Sequence, residues 1–246
     1  MSEEEKTIAL GARLETCAGF VREGKIPADV GTDHAYLPIW LVQTGKVPEA
    51  YATDINEDPI KTARCNIASR GLSEKIKAFT TDGLEKIPYN EVDDIIIAGM
   101  GGDNIAAILS GAEWLKDKRY RLILQPMTRA SRLREYLFSN GFDIISEKAV
   151  CEAGKVYTVI CAEYSGESWQ RQDHADDYLI YAGRLDSSDP NAAALLKKQA
   201  GILRSMSDGC AAKGDISGQR HYAELASRIT ESIEGGKTNG KRQGSI

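Results

Sequence analysis

Between Asp29 and Pro38 the chain reads Asp-Val-Gly-Thr-Asp-His-Ala-Tyr-Leu-Pro, placing two acids and a histidine around one glycine. A short apolar run, Ile26–Val30, leads in, and an apolar helical pattern, Ala35–Val42, leads out, so these residues mark a strand-to-helix junction. Gly31 permits the tight turn, and backbone N–H groups at such a turn can meet a polar ligand directly. In α/β proteins this junction is where nucleotides bind.

A nucleotide ligand needs two further groups from such a fold. An acid at the end of the next strand accepts from ribose hydroxyls, and Asp54 follows Ala50–Thr53 about twenty residues on, where the dinucleotide-type fold expects it. The competing role for Asp54 is a helix N-cap, which Asp58 fills better. A polar group beside an adenine ring can come from Thr81-Asp82-Gly83, directly after the run Ile76–Phe79. Asp82 could equally cap a short helix over Leu84–Lys86. Ala98-Gly99-Met100-Gly101-Gly102 follows a fourth strand, where glycines let a flat group approach the main chain or merely make a strained turn. Residues 32–36 hold no glycine, so the full G-x-G-x-x-G fingerprint of nicotinamide enzymes is missing.

These residues sit on alternating elements. A leading helix over Ile8–Val21 precedes strand Ile26–Val30 and helix Ala35–Thr44. Then come strand Ala50–Thr53, helix Pro59–Arg70, strand Ile76–Phe79, strand Asp94–Ala98, helix Asp103–Leu109, strand Leu122–Gln125 and helix Ser131–Asn140. The alternation predicts a mostly parallel sheet with crossover helices. Phe142–Val150 and Val156–Glu163 are separated only by residues 151–155, too few for a crossover, and must pair antiparallel. A parallel sheet closed by such a hairpin resembles class I S-adenosylmethionine-dependent methyltransferases. Beyond Tyr164, Ser165–Ser168 and the polar run Gln170–Asp177 read as a connection. Helical stretches Ala192–Ala212 and Gln219–Ile233 follow, with Leu196, Leu203 and Cys210 in heptad spacing on the first helix and Tyr222, Leu225, Ile229 and Ile233 on one face of the second, predicting an antiparallel, coiled-coil-like hairpin. The expected division is a catalytic domain over 1–164, a helical hairpin over 165–234 and a disordered tail over 235–246.

The composition permits this. At 246 residues and 42% hydrophobic content the chain can bury a core unaided. Its five scattered cysteines contain no C-x-x-C pair, which argues against disulfides or zinc; Cys151 and Cys161 are expected to be buried, inert thiols. No apolar run is long enough to span a bilayer, and the acidic start Met-Ser-Glu-Glu-Glu-Lys is unlike a secretory signal, so a cytoplasmic protein without membrane or metal is expected. The net charge of −5 does not favour nucleic acid globally, leaving local patches to do so. Residues 119–148 hold six basic side chains (Arg119, Arg121, Arg129, Arg132, Arg134, Lys148) against three acids, and residues 183–246 hold ten against seven. Arg129, Arg132 and Arg134 open a helix at the sheet's ligand edge, where phosphate contacts would be productive.

Taken in order, several blocks resemble the bacterial TrmK-type tRNA (adenine-N1)-methyltransferases. They are Arg13-Leu14, Asp29–Pro38, Asp82-Gly83-Leu84, Ala98–Gly102, Leu124-Gln-Pro-Met127 and Glu152–Tyr157, and they span residues 8–163. The C-terminal hairpin is similar to that family's appendage in pattern rather than in sequence. The resemblance implies S-adenosylmethionine as cofactor and an adenine of the tRNA D-arm region as acceptor. Asp29 and Gly31 would then line the methionine end, Asp54 with Ile55 the ribose, and Asp82 with Gly83 the adenine. Ala98, Gly99 and Met100 would complete the cofactor site, and Gly101, Gly102, Arg129, Arg132 and Arg134 would meet the substrate. Asp54 stands where relatives often carry Glu, which keeps the carboxylate.

N1 of adenine carries a lone pair at neutral pH and becomes cationic on methylation, so alignment and charge stabilisation matter more than a strong base. Asp33, one step beyond the cofactor turn, is the candidate carboxylate, with His34 orienting it or touching the base. The alternative is that Asp33 caps the next helix and His34 packs there. Two other readings stay open: a small-molecule methyltransferase using the hairpin as a lid or dimer contact, and a non-catalytic tRNA-binding or assembly module. A monomer is expected, with dimerisation through the hairpin as the other possibility.

Overall fold

The computed structural model describes residues 7–167 and 177–240, with side chains to residue 235 in the last stretch. Its elements in chain order are α1 (Ala12–Phe20), β1 (Pro27–Val30), α2 (Tyr36–Gln43), β2 (Ala50–Asp54), α3 (Glu57–Ala68), β3 (Ile76–Thr80), β4 (Asp94–Gly101), α4 (Gly102–Ser110), β5 (Arg121–Thr128), α5 (Ala130–Ser139), β6 (Phe142–Glu152), β7 (Lys155–Tyr164), α6 (Asp177–Ala182), α7 (Pro190–Ala212) and α8 (Ile216–Gly240). One 3-10 turn, Glu113–Leu115, lies between α4 and β5.

The strands form one seven-stranded sheet in the order β3-β2-β1-β4-β5-β7-β6. β1 pairs in parallel with both β2 and β4, so the chain leaves β1 in one direction and returns on its other side. That reversal opens a crevice at the carboxyl ends of β1 and β4. The inner strands are continuous apolar runs, as strands buried on both faces must be: Ile95, Ile96 and Ile97 of β4 and Leu122, Ile123 and Leu124 of β5 are all 0% exposed. β7 is antiparallel to β5, closing the sheet.

α1 is held at both ends. Beyond its C-terminus, Arg22 donates from its backbone N–H and its Nε to the fully buried Asp94 carboxylate at the start of β4, both at 2.7 Å. Near its N-terminus, Arg13 reaches Gln125 near the end of β5. The helix thereby runs from the amino end of the sheet to its ligand end.

Contacts gather the chain into two units that do not divide at one point. The first holds the sheet and its crossover helices up to Ser146, together with β7 from Val159. The second holds the distal hairpin residues Glu147–Thr158 and the helices from Asp177 on. The register supplies the reason: β5 pairs with β7 only over Ile160–Glu163, so the hairpin outruns β5. Within the second unit the buried Glu147 accepts from Thr158 Oγ1 at 2.5 Å and from the Arg184 backbone N–H at 2.9 Å.

α7 and α8 pack along Leu196, Ala200 and Leu203 against Leu225, Ala226, Ile229 and Ile233. Cys210, expected on this seam, is only half-buried, and the buried Ser207 extends the stripe instead, donating to the Gln219 carbonyl at 2.8 Å. Asp189 caps α7 by accepting from the Ala192 N–H at 2.8 Å, with Pro190 in the first turn. α6 was not legible because six residues carry too little periodicity. It joins the same core through Ala182, with Asp177 Oδ2 2.8 Å from His221 Nε2 and Arg228 over the Tyr178 ring. α8 continues to Gly240, beyond the expected start of a disordered tail at Gly235, because extending a helix is easier than nucleating one. Residues 241–246 lie outside the described residues, as does most of the expected connection, 168–176.

All five cysteines are free thiols. Cys161 is buried, and burial pushes its thiol up to about 12, leaving it inert. Cys151 departs from expectation: it follows the buried Val150 in β6 and is itself exposed. No helix among the described residues is long and apolar enough to cross a membrane.

Candidate active site

A cavity of about 240 Å³ lies where β1 and β4 end, lined by Asp29, Gly31, Thr32, Asp33, His34, Tyr36 and Leu37 from the first junction, Ala98 and Gly99 from the second, and Arg13 and Leu14 from α1. Asp29 and Gly31 thus share one space with Asp33 and His34, as the order of the junction implied.

The junction is built by an unusual start to α2. Gly31 takes φ +81°, and an added Cβ there would strike the Met100 Cε, so the turn accepts only glycine without displacing Met100. The Gly31 and Thr32 N–H groups, expected to be bare, both donate to the Thr53 carbonyl, at 2.7 and 2.8 Å. The turn is therefore fastened to β2, and these two N–H groups are already engaged within the fold. Ala35, fully buried with φ +56°, precedes α2, and its N–H donates to Thr32 Oγ1 at 3.2 Å. No acid caps α2. A non-glycine residue in left-handed backbone beside a cavity is stored strain of a kind that clusters at functional sites.

Asp33 is exposed and lies 3.1 Å from His34 Nε2. The His34 ring stacks on Tyr36 at 5.0 Å with an interplanar angle of 21°, and its backbone carbonyl accepts from Asn66 Nδ2 at 3.1 Å. Asp29 is buried at 8% exposure. Desolvation raises its carboxyl from 3.8 to about 6, opposed by a hydrogen bond from Thr32 and reinforced by the nearby Asp54 charge. No cation stands against it among the described residues, which suits a positively charged ligand group.

Asp54 does not cap α3. The N-cap is Asn56, whose N–H donates to Asp54 Oδ1 at 2.7 Å. The favoured capping alternative, Asp58, lies inside the first turn and pairs with Lys61 at 3.1 Å, because α3 starts at Glu57 and takes Pro59 into its first turn. Ile55 beside it is 59% exposed. Asp82 and Gly83 line a separate cavity of about 270 Å³ with Leu84, Glu85, Ala107, Ile108 and Gly111. The short helix at Leu84–Lys86 that the capping alternative for Asp82 requires is a run of turn instead.

The Ala98–Gly102 segment is where β4 loses register with β5, with shifts on both sides of Met100. Such an irregularity bends a strand and re-aims its residues. Gly99 N–H donates to Gln125 Oε1 at 3.1 Å. Gly102 requires correction: it is buried, and a Cβ there would collide with the Arg129 carbonyl oxygen, so glycine serves backbone packing between β4 and β5 rather than a substrate. Gly102→Ala is expected to destabilise by about 3 kcal/mol through that collision. Gly19→Ala, inside α1 with open space around it, should instead stabilise by up to about 1 kcal/mol. Thermal melts of both variants check the contrast.

The arginine cluster also needs correction. Arg134 is 3% exposed and engaged within the fold. It falls on the inward stripe of α5 with Leu133, Leu137 and Phe138, which a count along the sequence could not show. Arg129 and Arg132 are exposed, paired with Asp103 and with Glu135. Arg119 and Arg121 lie at the opposite end of β5, paired with Asp93 and Glu163. Nor does the second basic excess lie within residues 183–235. Residues 183–235 balance seven basic against seven acidic side chains, so the surplus is Lys237, Lys241 and Arg242.

Two residues of the site carried no expected role. Arg13 enters from α1, and the fully buried Gln125 joins it to Gly99.

A methyltransferase-domain family matches residues 10–160. The chain is 40% identical over 178 residues to the tRNA (adenine(22)-N(1))-methyltransferase of Bacillus subtilis, covering 72% of this chain and 73% of that one. Among solved structures, the B. subtilis M1A22 tRNA methyltransferase TrmK superposes with TM-score 0.74 at 32% identity, over 92% of this chain and 99% of that one. M. capricolum TrmK, in complex with S-adenosylhomocysteine, superposes with TM-score 0.74 at 26% identity, over 91% of this chain and 99% of that one.

Proposed function

The chain belongs to the TrmK-type tRNA (adenine-N1)-methyltransferases, and on that premise we propose that it methylates N1 of an adenine in the D-arm region of tRNA, the position-22 adenine for which its B. subtilis relative is named. The observation that carries this reading is the single cavity in which the buried Asp29 and the outward pair Asp33–His34 meet.

The donor set fits S-adenosylmethionine. Asp29, desolvated and without an opposing cation among the described residues, would take the positive methionine end. Gly31 would admit it closely, with Ala98, Gly99 and Met100 as the adjoining wall. Asp54 beside Ile55 would accept from the ribose hydroxyls, and Asp82 with Gly83 would edge the adenine. Bound there, the cofactor supplies a methyl group on a sulfonium centre.

The remaining work falls to the chain. The acceptor base must leave its stack to reach a cavity of this kind. Tyr36, stacked with His34 and 40% exposed, offers an aromatic face to receive it. Asp33 is placed to stabilise the positive charge that develops on the adenine, with His34 orienting its carboxylate. Once the base covers Asp33, water is displaced and the same charge acts more strongly. No proton must be removed from N1, so no side chain is assigned as a general base.

For tRNA, Arg129 and Arg132 remain exposed at the ligand edge and can exchange their acidic partners for phosphates. The terminal Lys237, Lys241 and Arg242 supply the other positive charge. The α7–α8 seam is covered within one chain, which favours a monomer, and five free cysteines suit a cytoplasmic site of action. Transcripts differing only at the D-arm adenine test the assignment. The adenine transcript should accept labelled methyl and its guanine counterpart should not; equal labelling of both would overturn the site.

A further inference from the structure

Pro38 stands four residues after His34 and has no N–H, so the first turn of α2 cannot supply a donor to the His34 carbonyl. Asn66 of α3 supplies one instead, with Nδ2 at 3.1 Å. The other polar end of the same peptide unit, the Ala35 N–H, precedes the helical ladder and donates to Thr32 Oγ1 at 3.2 Å. On either side, backbone holds backbone: the Thr53 carbonyl takes the Gly31 and Thr32 N–H groups, and the Ile39 N–H meets the Ala35 carbonyl at 3.0 Å. The His34–Ala35 unit is thus gripped by side chains at both ends. Resting on the acceptor reading above, we propose that Thr32 and Asn66 are positioning residues for methyl transfer, locking this peptide so that Asp33 and His34 face the acceptor base.

The unit needs a lock because it is strained. Ala35 carries a Cβ at φ +56°, a conformation that alanine leaves readily for the extended or helical region. Rotation about that one bond swings Asp33 and His34 relative to α2, on which Tyr36 is fixed. The His34–Tyr36 stack at 5.0 Å depends on the same angle.

The lock also needs a direction. A hydroxyl and an amide can each donate or accept, so Thr32 and Asn66 alone would serve an overturned peptide equally well. Asp29 removes that ambiguity. Its buried carboxylate accepts from the Thr32 hydroxyl, leaving Thr32 only lone pairs with which to meet the peptide, and those select the N–H. Thr32 thereby ties the acceptor half of the junction to the acid at its other end. Asn66 is half-buried on α3 and caps neither end of it, so its amide is placed for His34 rather than for its own helix.

The test is single-turnover methyl transfer to unmodified tRNA by the full chain, read beside calorimetric S-adenosylhomocysteine affinity. Asn66→Asp keeps the size but turns an acceptor toward the His34 carbonyl, and Thr32→Val keeps the shape without the hydroxyl. Each should slow transfer by about 10- to 100-fold, as for a misplacement of about 1 Å, and Asn66→Asp should leave affinity within about threefold. Thr32→Ser, which keeps the hydroxyl, should recover most of the rate. The double variant should be slower than the worse single by no more than about threefold, since either loss releases the same peptide, and Asn66→Asp should add no more than that in an Asp33→Ala background. A full rate in Asn66→Asp, affinity lost in step with rate, or an undiminished effect without Asp33 overturns the lock, while labelling by the wild type keeps the function standing. No labelling of tRNA by the wild type overturns the function and the lock with it.

Discussion

Asp33→Ala is expected to lower kcat by about two to three orders of magnitude while leaving S-adenosylhomocysteine affinity within about twofold. The separation follows from position. Asp33 lies past the turn that Gly31 and Thr32 fasten to β2, with its side chain 78% exposed, so removing it opens no cavity and strands no buried partner. Its carboxylate acts only when a base covers it and a cation develops. Asp33→Asn keeps an acceptor of nearly the same shape without the charge, and should be impaired almost as much as alanine. Single-turnover rates with saturating tRNA check this; full activity in either variant would return Asp33 to a purely structural role.

Asp29→Asn is expected to act on the other half of the site, weakening S-adenosylhomocysteine binding by about 100-fold, as for loss of a buried charge partner. The same substitution should make the ligand-free protein more stable at neutral pH. Asp29's carboxyl is raised from 3.8 to about 6 on folding, so the folded state holds this proton more tightly than the unfolded state. Stability from this group is therefore present at low pH and lost as pH rises from about 4 to about 6. At neutral pH the loss is on the order of 3 kcal/mol. Ligand affinity has the opposite sign: a cation favours ionised Asp29, so binding should weaken as pH falls below about 6. Asn removes both dependences. Calorimetry and melting across pH 4–8 check them, and a variant melting below the wild type at neutral pH would show that Asp29 is not held at a cost.

Much of this was readable in one dimension because the decisive features are local. The run of isoleucines at 95–97 announces a strand buried on both faces, and residues 151–155 are too few for a crossover, which forces the antiparallel closure. Asp29, Gly31, Asp33 and His34 fall within one turn, so their meeting in a cavity follows from their spacing.

What was not readable depends on tertiary phase or distance. Arg134 has the same charge as Arg129 and Arg132, but its place on α5 points it inward. Gly102 looks like its glycine neighbours until the Arg129 carbonyl is seen against it. The supposedly bare N–H groups at Gly31 and Thr32 are taken by Thr53, a residue of the neighbouring strand. Arg13 and Gln125 meet across 112 positions of sequence. Their blocks, Arg13-Leu14 and Leu124–Met127, stand out separately, and nothing local says that they touch.

The most direct measurement is nucleoside analysis of unmodified tRNA after incubation with the chain and isotopically labelled S-adenosylmethionine. N1-methyladenosine carrying the label should appear, at about one per acceptor tRNA when the reaction is driven to completion, and the Asp33→Ala variant should form it far more slowly. Label in any other nucleoside, or S-adenosylmethionine bound with no label transferred to tRNA, would contradict methylation of adenine N1 by this site.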